Sequence, residues 1–275
     1  MEFIDIHSHI LPGLDDGSQS ISMSMEMARV ALNDHIGMMV ATPHIKTGRF
    51  DYSKRYILQR VDELNQHFKR NDVDLQVLPG AEYYLEPDLP QRLADGELLT
   101  INNTGRYLLI ELPSIMVPEH TERILYEIQL QGVIPIIAHP ERNEVLAKRP
   151  DILSAYSQRG ILAQVTSTSI TGLFGRRAAK AANKMVADGS VQILASDAHT
   201  PNKRAPLISE ACDYIESRWG TDHAYALAVN NPLKVLHGQD IRVIHSPPKI
   251  HLLETFSLSW RKRKEVQGEQ HRYQS

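Results

Sequence analysis

Cysteine is almost missing from this chain of 275 residues: Cys212 stands alone. A single thiol excludes an intrachain disulfide and points to a reducing compartment. Positive charge is not in excess either, with 30 Lys and Arg against 33 Asp and Glu and a formal net charge of -3. That balance excludes a general attraction to nucleic acid. A phosphate-bearing substrate would therefore need local positive charge, from metal ions or from placed arginines. No apolar run approaches the roughly 20 residues that span a bilayer. The start, Met1-Glu2-Phe3-Ile4-Asp5, carries acids where a secretion signal carries a basic stretch. A soluble, cytoplasmic protein is expected. Repeats, low-complexity tracts and Pro/Gly-rich linkers are absent as well.

What is present is an alternation. Hydrophobic residues make up 42% of the chain and charged residues 23%, ordinary for a globular enzyme. Short apolar runs fall at 3–6, 38–41, 75–78, 107–110, 133–138, 161–165 and 191–194. Between them, helical periodicity marks 22–35, 53–69, 119–131, 176–188 and 206–218. Strands alternating with helices predict an α/β fold with parallel strands. About seven such units in this length predict a barrel rather than two separate sheets. One domain is expected over 1–248, followed by a polar, basic tail over 249–275.

The polar residues that follow the apolar runs carry the chemistry. The first run ends in His7-Ser8-His9 and then Asp15-Asp16-Gly17, the second in Thr42-Pro43-His44, the third in Gly80-Ala81-Glu82. The fourth ends in Glu111-Leu112-Pro113, the fifth in His139-Pro140-Glu141-Arg142, the seventh in Ser196-Asp197-Ala198-His199. In a parallel barrel these C-terminal ends converge on one face, where active sites lie. His7 and His9, two apart on extended backbone, point to the same side and suit a shared metal. Any one of these residues alone is more often a turn or hydrogen-bonding residue than a ligand. The joint pattern is different, because His7, His9, Asp16, His44, Glu82, Glu111, His139, Asp197 and His199 occupy corresponding positions of successive units. One closed structural zinc needs four ligands. Nine mixed nitrogen and oxygen donors suit two or three divalent ions, and carboxylate-rich sites favour Mn, Fe or Zn over copper. Metal pairs about 3.5–4 Å apart clamp the attacking and leaving oxygens of a phosphoryl displacement.

These segments together resemble the PHP superfamily. Within it they are most similar to the bacterial manganese-dependent tyrosine phosphatases of capsule and exopolysaccharide loci, over residues 3 to about 245. The resemblance implies a distorted (β/α)7 barrel of the TIM-like kind with a trinuclear metal site, Mn2+ being the expected ion. It implies that His7, His9, Glu82 and Asp197 hold one ion. Glu82 would bridge to a second, held also by Glu111 and His139, and Asp16, His44 and His199 would hold the third. Arg142 and Arg204 would bind phosphate, and Asp16 is counted with them among the catalytic residues. The substrate implied is the phosphotyrosine tail of a bacterial tyrosine kinase. The stretch 45–50 lacks a second histidine often found there, and 164–172 matches in outline only. A bland alternative pairs Arg142 with Glu141 or Glu144 and leaves Arg204 as a solvated loop charge.

Cys212 and Arg218 stand in the Cys-x5-Arg spacing of cysteine-based tyrosine phosphatases. That chemistry needs a glycine-rich loop whose amides cradle phosphate, and the intervening Asp213-Tyr214-Ile215-Glu216-Ser217 supplies two acids and no glycine. The tail sets Leu252, Leu253, Phe256 and Trp260 at helical spacing before Arg261-Lys262-Arg263-Lys264. Such a segment fits docking on the barrel, or on an anionic membrane or partner. Two rival functions stay open on the residues alone: a small-molecule phosphoesterase such as a histidinol-phosphate phosphatase, and a catalytically idle metal-binding regulator. The sequence does not fix the oligomeric state.

Overall fold

The computed structural model describes residues 2–243. The tail over 249–275 lies outside the described residues, and with it the expectation that it docks on the barrel, a partner or a membrane. In chain order the elements are β1 (Phe3–Ser8), α1 (Ile21–Asn33), β2 (Ile36–Ala41), β3 (His44–Ile45), α2 (Lys54–Arg70), β4 (Gln76–Pro79), β5 (Glu82–Tyr84) and α3 (Leu89–Ala94). There follow β6 (Tyr107–Glu111), α4 (Thr121–Leu130), β7 (Ile134–Ala138), α5 (Pro150–Gln158), β8 (Leu162–Thr166), α6 (Ser167–Ile170), α7 (Gly175–Ala187) and β9 (Ile193–Ala195). The described chain closes with α8 (Ser209–Trp219), α9 (Thr221–Tyr225), a π-helical turn at Ala226–Asn230 and α10 (Asn231–Leu236). Among the described residues no helix is long and apolar enough to cross a membrane.

Every strand pairing is parallel. β1, β2 and β4 form one sheet, and β3, β5, β6, β7, β8 and β9 form a second in that order. All seven expected strands are present. β3 and β5 are additional, and at two and three residues they are too short for any periodicity to show. The two sheets meet beyond their ends. Ser8 bridges to Ala198, His9 N donates to Ala198 O at 2.8 Å, and Asp197 N donates to His7 O at 2.9 Å.

The strands carry apolar residues on both faces, as parallel strands buried between layers must. One face joins Ile4, Ile6 and Val40 of the first sheet to Leu109, Ile136, Leu162 and Ile193 of the second. The other face packs against the helices, with Met39, Ile110, Ile137 and Val165 meeting α1, α2, α4 and α7. α2 shows why these helices form. The Ser53 side chain accepts from Tyr56 N as a cap, Ile57, Val61, Leu64 and Phe68 make a buried stripe, and His67, Lys69 and Arg70 close the last turn where the helix dipole favours cations. α8 corrects an expectation. It begins at Ser209 rather than at 206, because the Asp34 carboxylate accepts from Ile208 N at 2.5 Å and from Ser209 N at 2.9 Å.

Candidate metal centre

The candidate ligands lie at or after the C-terminal ends of strands, with His44 and Glu82 opening the short β3 and β5 and Asp16 in the turn that follows β1, and the fold brings their side chains to one place. His7, next to last in β1, aims Nε2 at three neighbours: Glu82 Oε2 at 3.3 Å, Asp197 Oδ1 at 3.4 Å and His9 Nε2 at 3.3 Å. His9 Nε2 in turn lies 3.4 Å from Glu82 Oε2 and 3.3 Å from Asp197 Oδ1. His44 Nδ1 approaches Glu82 Oε2 to 3.0 Å and Glu111 Oε2 to 3.6 Å, and its Nε2 lies 3.5 Å from Asp16 Oδ1. His139 Nε2 meets Glu82 Oε1 at 2.9 Å and Glu111 Oε1 at 3.9 Å. His199 completes the ring, with Nε2 at 3.3 Å from Asp16 Oδ1.

Four overlapping groups emerge, each with donor atoms within 4.8 Å of one another. They are His7, His9 and Asp197; His7, Glu82 and His139; His44, Glu82 and Glu111; and His9, Asp16, His44 and His199. The partition is more shared than the resemblance implies. His9 also joins the Asp16 group, and Glu111 falls with His44 and Glu82. The centre is graded from inside to outside: His7, His9 and Glu82 have fully buried side chains, while the Asp16 side chain is 55% exposed.

Several buried atoms in this cluster have no hydrogen-bond partner. Glu82 Oε2, Asp197 Oδ1 and His199 Nε2 all stand so, although native interiors satisfy nearly all buried polar groups. Five imidazoles and four carboxylates facing one another across 3–4 Å form a donor set that a divalent cation would satisfy. The residues present fit such ions.

The local electrostatics agree. Burial pushes the Glu82 carboxyl up, but His7, His139 and His44 outweigh it and hold the group well below the usual range. Burial likewise raises Asp197, and Arg142 and His7 override it to hold the carboxyl well down. The neighbouring His199 imidazole holds the Asp16 carboxyl well below its usual range, so its carboxylate stays charged. Glu111 is raised, by burial and then by the charge of Glu82.

The backbone is strained where the ligands sit. His139 has φ of 32° and Asp197 φ of 52°, left-handed conformations that cost a non-glycine residue about 1–3 kcal/mol. Such strain persists only where surrounding contacts over-determine it. At Asp197 those contacts include Asp5, whose carboxylate accepts from both the N–H and the hydroxyl of Ser196.

Two orienting residues escaped the sequence reading. Asp15 Oδ2 holds His9 Nδ1 at 2.6 Å and also accepts from His44 N at 2.9 Å. Gln164 Oε1 meets His7 Nδ1 at 2.8 Å. Each fixes one ring nitrogen so that the other faces the centre. Asp15 had a signal, an acid beside Asp16 in a glycine turn. Gln164 had none, because the sixth apolar run ends without a His, Asp or Glu.

Arg142 and Arg204 converge on the same carboxylate. Arg142 Nη1 lies 2.5 Å and Arg204 Nη2 2.6 Å from Asp197 Oδ2. Arg142 also donates to Thr166 Oγ1 at 2.8 Å and lies 3.8 Å from the centre of the Phe174 ring. Of the bland pairings, Glu141 keeps a long contact with Arg142 Nε at 3.9 Å, secondary to the 2.5 Å pair with Asp197, and Glu144 pairs with Arg177 instead. Cys212 sits buried on α8, where burial and then the charges of Asp213 and Glu216 push its thiol up to about 12. A groove of about 540 Å³ lined by Glu122, Arg123, Tyr126 and Tyr156 contains none of the candidate ligands, so it is the ligand cluster that marks the site.

Comparison with known proteins places the chain. The family model for capsular polysaccharide synthesis, CpsB/CapC, matches residues 3–237. The chain belongs to the CpsB/CapC family. Tyrosine-protein phosphatase YwqE of Bacillus subtilis (strain 168) is 37% identical over 246 residues, covering 90% of this chain and 95% of YwqE. Tyrosine-protein phosphatase CpsB of Streptococcus pneumoniae is 29% identical over 241 residues, covering 86% and 99%. A crystal structure from work on YwqE of Bacillus subtilis and CpsB of Streptococcus pneumoniae, described as unique metal-dependent tyrosine phosphatases, matches with a TM-score of 0.84 at 36% identity. It covers 90% of this chain and 98% of its own. This CpsB/CapC chain thus shares its parallel α/β fold with metal-dependent enzymes along almost its whole described length.

Proposed function

We propose that the chain is a metal-dependent protein-tyrosine phosphatase built on a distorted (β/α)7 barrel. Two or three divalent ions serve it, Mn2+ first and Fe or Zn as alternatives, held by His7, His9, Asp16, His44, Glu82, Glu111, His139, Asp197 and His199. One observation carries the reading: nine donor side chains and two arginines meet at one end of the sheets in a family whose relatives bear the name tyrosine phosphatase. The hydrogen bonds joining the end of β1 to the Asp197 turn support closure of the two sheets into a barrel. The substrate is the phosphotyrosine tail of a bacterial tyrosine kinase that governs capsule or exopolysaccharide synthesis, and the setting is cytoplasmic.

The chain's own residues divide the work. When bound, divalent ions polarise phosphoryl oxygens and lower the pKa of water. Arg142 and Arg204 present guanidinium forks at the mouth, with 18% and 31% of their side chains exposed, and bind the phosphate oxygens as charge-assisted donors. Asp197 and the Phe174 ring hold Arg142 in place before substrate arrives. Asp15 and Gln164 set the tautomers of His9 and His7. Asp16, half exposed at the open edge beside His44 and His199, acts as a charged ligand within reach of the substrate. Cys212 takes no part.

The test is turnover by metal-loaded protein of a phosphotyrosine peptide beside histidinol phosphate, with and without chelator. Chelator-sensitive hydrolysis that favours the peptide supports the proposal. Preference for histidinol phosphate would shift the chain to small-molecule chemistry, and failure to hydrolyse either would leave a metal-binding regulator.

A further inference from the structure

The strand register puts a second layer of side chains above the metal centre. His44 is the partner of Glu82 across β3 and β5, and Ile45 that of Tyr83. Side chains two residues apart on a strand share a face, so Lys46 and Tyr84 follow His44 and Glu82, one step nearer the open end. Lys46 Nζ lies 3.8 Å from the centre of the Tyr84 ring. Past Lys46 the chain folds back through an antiparallel bridge to Phe50, with Phe50 N donating to Lys46 O at 2.9 Å. This turn lays the Phe50 ring 6.0 Å from the His44 imidazole at an interplanar angle of 18°. It also sets the Arg49 guanidinium 4.9 Å from the centre of Phe50.

Two cations are thus held beside the site by aromatic rings. A ring positions a cation without neutralising it. Neighbouring acids are committed elsewhere: Glu86 accepts from the Thr47 hydroxyl at 2.7 Å and lies 3.7 Å from Arg92, and Glu111 faces His44 and His139. Neither Lys46 nor Arg49 makes an ion pair with a carboxylate among the described residues, and Arg49 is exposed. Arg142 and Arg204, by contrast, gather on Asp197. The cations on the β3–β5 side therefore remain for another part of the substrate.

We propose that Lys46 and Arg49 form a subsite for acidic residues flanking the phosphotyrosine of a peptide substrate. The inference rests on the phosphotyrosine reading and adds the substrate's local charge to it. Partly exposed ion pairs are worth little singly, yet two fixed cations beside a cleft act together on encounter and binding.

The experiment uses metal-loaded full-length protein and two phosphotyrosine peptides that differ only in Glu against Gln at the flanking positions. Their kcat/KM ratio, taken on one preparation, cancels any change in active fraction. The wild-type protein is expected to prefer the Glu peptide by about three- to tenfold at low salt, with the preference shrinking toward unity near 1 M salt, where the Debye length falls to about 3 Å. A Lys46→Glu, Arg49→Glu double variant should bring the ratio below one, and Lys46→Arg with Arg49→Lys should keep it. A wild-type ratio of one with both peptides turned over overturns this proposal alone, as does a ratio unmoved by the charge reversal. Failure to turn over either peptide overturns the tyrosine-phosphatase reading and this one with it. The wild-type ratio and its salt dependence decide the matter even if the reversed variant does not fold.

Discussion

Gly17→Ala should cripple the site through a single methyl group. A Cβ built at Gly17 falls 2.2 Å from His9 O and 2.3 Å from His9 Cβ, about 1 Å short of ordinary contact. Those atoms belong to the backbone and the root of a ligand, so no rotamer change relieves them. Gly17 is not among the residues with positive φ, so the penalty is one of space. The turn must move, and it carries the site with it. Gly17 N donates to Asp15 Oδ1 at 2.9 Å, and Ser18 N donates to His9 O at 2.9 Å. Asp15 holds His9 and the His44 backbone, while Asp16 faces His44 and His199. One displaced turn therefore reaches three of the five histidines. Overpacking costs about 1–3 kcal/mol, which lowers Tm by roughly 2 to 12 °C in a domain of this size. A displacement of about 1 Å at reacting groups costs on the order of a hundredfold in rate. Gly96→Ala is the control, since Gly96 has φ of 75° and open space around it: it should lower Tm while leaving the centre intact. Thermal unfolding, elemental analysis of bound metal and kinetics on a phosphotyrosine peptide measure all three effects. Wild-type metal content with wild-type kcat/KM in Gly17→Ala would refute the reasoning.

Chelation should abolish phosphotyrosine turnover while Cys212→Ser leaves it nearly intact; because burial raises the thiol pKa to about 12, native Cys212 should also resist alkylation at pH 8.5 and react once unfolded. Arg142→Ala should lower kcat/KM by about a hundredfold, on the order of 3 kcal/mol, with metals retained and only partial rescue by Lys; a wild-type kcat/KM would make Arg142 structural. Asp197→Ala should lose metal and activity together, because its Oδ1 lies among His7, His9 and His199; full metal content would remove Asp197 from the centre. Gln164→Ala should weaken metal affinity by about 10- to 100-fold, read by competition with a chelator of known affinity, and unchanged affinity would deny it the orienting role.

The division between what sequence and structure decide follows from distance along the chain. The sequence alone determined the parallel α/β class, because seven apolar runs and the helices between them are local patterns written in consecutive residues. It also determined the candidate ligands, because parallel strands send their C-terminal ends one way, and a His, Asp or Glu there is visible without coordinates. Only the tertiary structure decided how those residues meet. β3 and β5 exist through pairing and not through periodicity, and their register alone stacks Lys46 and Tyr84 over His44 and Glu82. α8 starts at Ser209 because of Asp34, a partner 174 positions before Ile208. Gln164 reaches His7 across 157 positions. Arg142 makes its short ion pair with Asp197, 55 positions away, and only a long one with its neighbour Glu141. A hydrogen bond or ion pair between remote segments depends on where folding has carried both ends, and no local pattern of residues holds that information.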